Sequence, residues 1–430
     1  MTVSGKLVPG ADQAPDIAVV NGAAGGPMQR FPGAAPAAPA SARVRRRLAK
    51  ILSLDDFGIA ARRHLPRPLY GYIAGAAETN QTLDDNRAVF GELGFVPKVL
   101  NNVSRRTATV ELFEQTYRAP FGIAPMGLGA LLGYRADIAL AGAAAAFGIP
   151  AVVSGSSLIR LEDTARDGGA TWFQAYLPGE SQKILALIDR VERASYKVLV
   201  ITVDVPVGGN RENNVRAGFS TPLKPGLGLA WQGLTHPSWL LETGLRTLLR
   251  HGMPHFENSY ATRGAPILSR NVERDFGARD HFDWSHLDLI RRRWKGKLVV
   301  KGILDAGDAA AACAAGADGI IVSNHGGRQL DGAVSPMRVL PGIVAAAGPV
   351  PVMMDGGVRR GSDVLKAIAL GARLVFVGRP FMFAAAIAGP AGVEHGIGVM
   401  AQEIDRDMAL LGVNTLAEVT LALVMPRHFC

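Results

Sequence analysis

Eight short apolar runs, each followed by a stretch able to form a helix, constrain this chain more than anything else in it. They are PFGIAP (120–125), IPAVVS (149–154), WFQAY (172–176), VLVITVD (198–204), LVVKG (298–302), GIIVSN (319–324), VPVMMD (350–355) and LVFVG (374–378). Their hydrophobicity is continuous rather than alternating, as expected of strands covered on both faces. Intervening segments such as DIALAGAAAAFG (137–148), DAGDAAAACAAGA (305–317) and GSDVLKAIALGA (361–372) are alanine-rich and helically spaced, and they run out at glycine. Alternation of strand with helix calls for a parallel sheet, and eight such units close a TIM (β/α)8 barrel. A doubly wound α/β sheet is the competing architecture, but neither G-x-G-x-x-G nor G-x-x-x-x-G-K-[ST] follows any of these strands.

The 430 residues therefore read as one enlarged barrel rather than two domains. Residues 1–48 form an Ala/Pro/Gly-rich basic tail without apolar periodicity, expected to be disordered, and RVRRRLAK marks the approach to folded structure. Residues 49–430 carry the barrel after a helical prelude near 53–90. The fourth and fifth strands lie much further apart than one crossover needs, so about 206–282 is an insertion over the catalytic rim, a lid or an attachment surface. The formal charge of +9 concentrates at the start: residues 1–50 hold seven Lys/Arg against two Asp, a net +5. Nucleic acid is thus not an expected partner. Cys313 and Cys430 are too few for a disulfide framework or a thiolate zinc site. Neither a signal peptide nor an apolar run of about 18 residues is present, which points to a cytoplasmic protein.

In a TIM barrel the chemistry gathers at the C-terminal strand ends, where this sequence places many polar side chains. Ser154, Gln174, Tyr176, Thr202, Asp204, Lys301, Ser323, His325, Asp355 and Arg379 all end or closely follow a strand. DGGVRRG (355–361) and VGRP (377–380), after strands seven and eight, combine exposed backbone N–H groups with arginines, the usual barrel phosphate site. SNHGGRQLD (323–331) sets His325 three residues before Arg328, a base beside a carboxylate clamp, with Asp204 able to orient the imidazole. No metal is expected, because HGMPH (251–255) lacks the glutamate of H-E-x-x-H.

With LPRPLYGYIAGAAE (65–78), IAPMGL (123–128), FQAY (173–176), TVDVPVGGNRE (202–212), VVKG (299–302), SNHGGRQLD and DGGVRRGSDVLKAIALGA, the chain resembles the FMN-dependent L-2-hydroxy acid oxidase/dehydrogenase family, which includes glycolate oxidase, flavocytochrome b2 and mandelate dehydrogenase. HPSW (236–239), RHGMP (250–254) and SPM (335–337) resemble the mandelate-dehydrogenase branch in particular.

That resemblance implies FMN as cofactor and oxidation of an (S)-2-hydroxy acid to its 2-keto acid. His325 would take the substrate proton, Asp204 would stabilise the imidazolium, and Tyr176 would hydrogen-bond the substrate oxygen. Arg328 and Tyr72 would bind the substrate carboxylate, with Arg211 beside them. Lys301 would sit near flavin N1 and O2. Pro125, Met126, Gly127, Ser154, Gln174, Thr202 and Ser323 would hold the isoalloxazine and upper ribityl chain. Asp355, Gly356, Gly357, Val358, Arg359, Gly378 and Arg379 would hold the lower ribityl and phosphate. Gly127 stands where oxidases of the family carry alanine, which argues for an acceptor other than oxygen, of the quinone type. Ser156 replaces a tryptophan of glycolate oxidase, which argues for a bulky, mandelate-like side chain. An oxygen-dependent oxidase or an L-lactate dehydrogenase is the competing reading. The resemblance also implies a homotetramer and a peripheral membrane contact through SWLLETGLRTLLRHGMP (238–254); a lid packed on the barrel or a neighbouring subunit is the alternative use of that segment.

Overall fold

The computed structural model describes residues 41–177, 179–223, 226–269 and 279–427. Eight parallel strands form the barrel: β1 (Phe121–Ile123), β2 (Val152–Ser154), β3 (Trp172–Ala175), β4 (Val198–Thr202), β5 (Lys297–Ile303), β6 (Gly319–Val322), β7 (Val352–Asp355) and β8 (Leu374–Val377). Each falls within or overlaps one of the eight apolar runs. Consecutive strands pair in parallel from β2 to β8, and β8 pairs with β1. The ring closes through an isolated bridge between Ile123 and Ala151, where the Ile123 amide donates to Pro150 O at 2.9 Å.

The strands read as unbroken hydrophobic runs because the two-residue period sends alternate side chains to two different apolar environments. Val152, Trp172, Val198, Val200, Val299, Ile321, Met353 and Phe376 pack together in the lumen. Val153, Phe173, Leu199, Ile201, Val300, Ile320, Met354 and Val375 instead meet the surrounding helices. Burying each such side chain contributes roughly 1.5–3 kcal/mol relative to exposure. An antiparallel hairpin, Val110–Leu112 with Gln115–Tyr117, supplies Val110, Leu112 and Tyr117 to the lumen cluster, and Trp172 Nε1 donates to Tyr117 Oη at 3.0 Å. The filled lumen leaves room for a ligand at the opposite, C-terminal end.

Eight helices follow the strands: α1 (Ala136–Phe147), α2 (Leu161–Gly168), α3 (Ser181–Arg193), α4 (Trp284–Arg293), α5 (Ala306–Ala314), α6 (Pro336–Ala347), α7 (Gly361–Ala369) and α8 (Arg379–Leu411). Local signals set their ends. Asp305 caps α5 by accepting from the amides of Gly307 and Asp308, Asp283 caps α4, and α1 stops where Gly148 turns left-handed at φ 88°. The α8 run breaks at Ala388 and Gly389, so its first turns form a short separate helix directly after β8.

Before the barrel, helices Leu54–His64, Arg67–Ala74 and Gln81–Ala88 match the helical prelude. Most of the expected disordered tail lies outside the described residues, but its last part needs correction. Ala42–Leu48 is a helix whose Leu48 is buried and whose Arg47 Nη1 donates to Ile387 O at 2.8 Å. The arginine run hides this in the sequence, since one buried apolar contact is enough to anchor it. Between β4 and α4, helical segments Glu212–Ala217, Leu227–Leu234 and Pro237–His251 occupy the sequence read as an insertion. Trp239 Nε1 ties this segment to the barrel by donating to Leu131 O at 2.8 Å. His251 and His255 have ordinary partners there, Tyr134 Oη at 2.9 Å and Met253 O at 2.8 Å.

The register of β5 shifts between Lys301 and Ile303, and Gly302 makes the shift possible at φ 111°. A Cβ there would sit 2.7 Å from Cβ of Asp204. Gly302→Ala should therefore cost about 1–3 kcal/mol, read as a lower urea midpoint at unchanged denaturant slope.

Candidate active site

The functional side chains continue the lumen series. Along β2 the inward positions run from Val152 to Ser154; along β3, from Trp172 to Gln174 and Tyr176; along β4, from Val198 and Val200 to Thr202 and Asp204. On β5, β6 and β7 the same step leads from Val299 to Lys301, Ile321 to Ser323 and Met353 to Asp355. Packing stops where these positions turn polar, and a cavity of about 330 Å³ opens there. Every expected site residue lines it except Ser154, Gln174, Asp204 and Ser323, which stand immediately behind the wall.

Asp204 reaches the cavity through His325. Its Oδ1 lies 2.9 Å from His325 Nδ1, so the favoured tautomer donates from Nδ1 and leaves a lone pair on Nε2. Tyr176 Oη lies 3.3 Å from that Nε2. His325 sits at φ 59°, unusual for a side-chain-bearing residue. It is held by its own amide donating to Ser323 Oγ at 3.0 Å and by an Asn324 side chain that accepts from Gly327 N and exchanges bonds with Asn86 at 2.8 Å. Burial pushes the His325 pKa down and Lys301 and Arg211 add to this, while Asp204 opposes them; the net direction is downward. Burial would raise Asp204, but His325 and Lys301 outweigh it and hold the carboxylate below its ordinary value. The pair at rest is thus a neutral imidazole on an ionised carboxylate.

Lys301 Nζ bonds Asp355 Oδ2 at 2.9 Å and donates to Ser323 Oγ at 2.7 Å. Burial disfavours its charge, yet Asp355 and Asp204 reverse the effect and the ammonium is retained with a raised pKa. Arg328 donates to Tyr72 O at 2.6 Å and Gly75 O at 2.9 Å, and its guanidinium carbon lies 4.9 Å from the Tyr72 ring centroid. Arg211 joins it through Arg328 O at 3.2 Å and Gln329 Oε1 at 2.8 Å. Burial, reinforced by Arg211, lowers the Arg328 pKa to about 10, so it stays a cation at neutral pH.

At the β7 and β8 ends, Gly356 and Gly357 take φ values of 113° and 77°, and Arg359 and Arg379 flank the turn. Burial lowers Arg359 to about 10 and Arg379 well below its ordinary value, each cation also repelled by another arginine. Arg379 is braced by Ile73 O, Gly75 O and Gly326 O at 2.8, 3.1 and 2.9 Å. Six cationic side chains, Arg211, Arg279, Lys301, Arg328, Arg359 and Arg379, line the cavity, whereas Asp355 is the single lining carboxylate among the described residues. Such an excess calls for anionic ligands.

An FMN fits these residues. Gln174 Nε2 and Asp355 Oδ1 are buried without a partner, ready for carbonyl and hydroxyl groups. Gln174 Oε1 is fixed by Ser154 Oγ and Gly155 N at 3.2 and 3.3 Å, which aims the free amide. The paired arginines and the start of α8, which has no side-chain cap, suit a phosphate.

Several lining residues escaped the sequence reading. Thr221, Phe256 and Arg279 come from the stretch between β4 and α4, where no periodicity or motif announces an inward-facing position; Val205 lies within TVDVPVGGNRE but was not singled out. Gly127 and Ser156 approach closely: a Cβ at Gly127 would lie 2.8 Å from Cβ of Ser156, so a side chain at 127 would force Ser156 to shift.

The FMN-dependent dehydrogenase family profile matches residues 61–426. The (S)-mandelate dehydrogenase of Pseudomonas putida is 38% identical over 369 residues, covering 84% of this chain and 91% of that protein. An L-lactate dehydrogenase of Pseudomonas entomophila (strain L48) is also 38% identical, over 377 residues covering 86% of this chain and 97% of its own length. Among solved structures, the monotopic membrane protein (S)-mandelate dehydrogenase superposes with a TM-score of 0.81 at 35% identity, covering 88% of this chain and 100% of that one. A mandelate oxidase variant gives a TM-score of 0.72 at 33% identity, covering 86% of this chain and 97% of its own. The chain belongs to the FMN-dependent dehydrogenase family, as an oxidoreductase that acts on CH–OH donors with FMN as its cofactor.

Proposed function

We propose that the protein oxidises a bulky (S)-2-hydroxy acid of the mandelate type to its 2-keto acid and passes the electrons to a quinone-type acceptor. The observation that carries the reaction class is the Asp204–His325–Tyr176 chain, which aims one unprotonated imidazole nitrogen into a cavity rich in arginine. Arg328 and Arg211 hold the substrate carboxylate, Tyr72 closes over it, and Tyr176 Oη bonds the 2-hydroxyl oxygen. His325 Nε2 accepts the substrate proton, and Asp204 meets the resulting imidazolium across its Nδ1 bond. Bound FMN supplies the two-electron acceptor. Lys301, held as an ammonium by Asp355, would supply positive charge to bound FMN. Gln174, Ser154, Thr202, Ser323, Pro125 and Met126 position the ring and upper chain, while Asp355, Gly356, Gly357, Val358, Arg359, Gly378 and Arg379 hold the lower chain and phosphate.

Ser156 supports a bulky side chain over lactate, since it puts a small side chain in the cavity wall. L-Lactate remains the competing substrate because relatives of equal identity bear that name. Ser156→Trp should lower kcat/KM for (S)-mandelate by at least about tenfold relative to L-lactate; an unchanged ratio would place the side chain elsewhere.

The segment between β4 and α4 supports peripheral membrane attachment. Leu227, Trp231, Leu234, Leu241 and Leu249 are between 63% and 91% exposed along it, and Arg246 and Arg250 accompany them. Among the described residues no helix is long and apolar enough to cross a membrane. Flotation with anionic lipid vesicles should carry the intact protein upward and leave a 230–256 deletion behind; equal flotation would contradict the attachment.

Activity requires neutral His325, whose pKa is lowered, so kcat/KM should rise with pH through an acid limb below the ordinary histidine value of about 6.5. Asp204→Asn removes the group that opposes the lowering; the limb should move further down and kcat should fall about 10²-fold or more. His325→Ala should retain FMN absorbance and lose about 10²–10⁴-fold in anaerobic flavin reduction. Reduction at the parental rate would remove His325 as the base.

A further inference from the structure

The end of the helix Arg67–Ala74 carries the substrate arginine, because Arg328 donates to Tyr72 O at 2.6 Å and to Gly75 O at 2.9 Å. A further link joins the same stretch to the turn that holds His325, where Ala77 N donates to Gly327 O at 2.8 Å. Whatever fixes the backbone of residues 72–80 therefore fixes Tyr72 and Arg328 against each other.

That backbone is clamped from the short helix Glu212–Ala217, which starts directly after Arg211. Asn213 Nδ2 donates to Ala76 O at 3.0 Å and to Asn80 Oδ1 at 2.7 Å, and Asn80 Oδ1 also accepts from Ala76 N at 3.0 Å. Ala76 O can only accept and Asn80 Oδ1 is already an acceptor, so position 213 must present an NH2 group. The two helices meet at close range: a Cβ at Gly75 would lie 2.7 Å from Cβ of Asn213, and one at Gly71 would overlap Cβ of Ala217. On its other side Arg211 reaches Arg328 O at 3.2 Å and Gln329 Oε1 at 2.8 Å. Asn213 falls one residue beyond TVDVPVGGNRE and does not itself line the cavity.

We propose that Asn213 is a positioning residue for substrate binding: its amide locks the helix end that bears Tyr72 to the helix that follows Arg211, so that Tyr72, Arg328 and Arg211 meet one carboxylate together. The inference rests on the 2-hydroxy acid reading and adds to it the residue that sets the spacing of the carboxylate site. The phosphate end draws on Gly356, Gly357 and Arg359 from the end of β7, so loosening the clamp should spare FMN.

The holoenzyme tests this by titration with benzoylformate, the 2-keto acid of mandelate, read from the visible absorbance of bound FMN, alongside KM and kcat for (S)-mandelate. Asn213→Ala and the isosteric Asn213→Asp, whose oxygen would face two acceptors, should each weaken benzoylformate binding and raise KM by about tenfold or more. In both variants kcat should change less than about threefold, and FMN content should stay at the parental level. Asn80→Ala should act alike, whereas Asn80→Asp, which keeps the accepting oxygen, should restore most of the affinity. Parental affinity in either Asn213 variant would overturn the inference while leaving the hydroxy acid reading standing. So would a loss of affinity matched by an equal loss of FMN or of kcat, because Asn213 would then serve the fold at large. If benzoylformate leaves the parent's flavin spectrum unchanged and (S)-mandelate does not reduce it, the hydroxy acid reading falls and this inference with it.

Discussion

The period of two along eight parallel strands is the constraint on which the rest depends. One inward-facing series per strand must fill a narrow lumen, and it does so with Val, Ile, Met, Trp and Phe over the lower part of the barrel. The next inward positions on the same strands are Ser154, Gln174, Thr202, Lys301, Ser323 and Asp355. A side chain cannot change faces without a register slip that would expose the whole strand's hydrophobic set. The barrel's packing therefore fixes where the chemistry is, and the rigid wall below the site holds polar groups that would be costly to bury unaided.

Above that wall the balance is electrostatic. Two buried pairs, Asp204 with His325 and Lys301 with Asp355, bring opposite charges together at 2.9 Å each. Arg328 and Arg379 instead lean on backbone carbonyls, which orient a cation without neutralising it. Burial lowers the pKa of both. Such a site is expensive for the folded protein by itself and becomes favourable when anions enter. A phosphate at one end and a carboxylate near His325 are the ligands that this charge distribution suits.

Much of this was legible in the sequence because strand ends in a parallel barrel are predictable. The runs VLVITVD and LVVKG announced both their strands and the polar residues closing them, and DGGVRRG and VGRP announced an anion cradle. Boundaries were less so: IPAVVS yields only Val152–Ser154 as regular strand, since Pro150 and Ala151 meet β1 through a single isolated bridge. The helix at Ala42–Leu48 was hidden by its arginines. Arg279, Phe256 and Thr221 were invisible for a different reason. They reach the cavity from irregular chain, where side-chain direction is set by tertiary contacts that leave no repeating pattern.

We propose that the arginine-rich cavity holds FMN and that the Asp204-supported His325 face accepts a proton from one stereoisomer of a 2-hydroxy acid. The most direct test of this is the visible absorbance of the purified holoprotein under anaerobic mixing with (S)- and (R)-mandelate. The protein should carry about one FMN per chain, bleached rapidly by the (S) acid and hardly by the (R) acid. A protein that carries no flavin, or whose flavin both enantiomers bleach at the same rate, would contradict it.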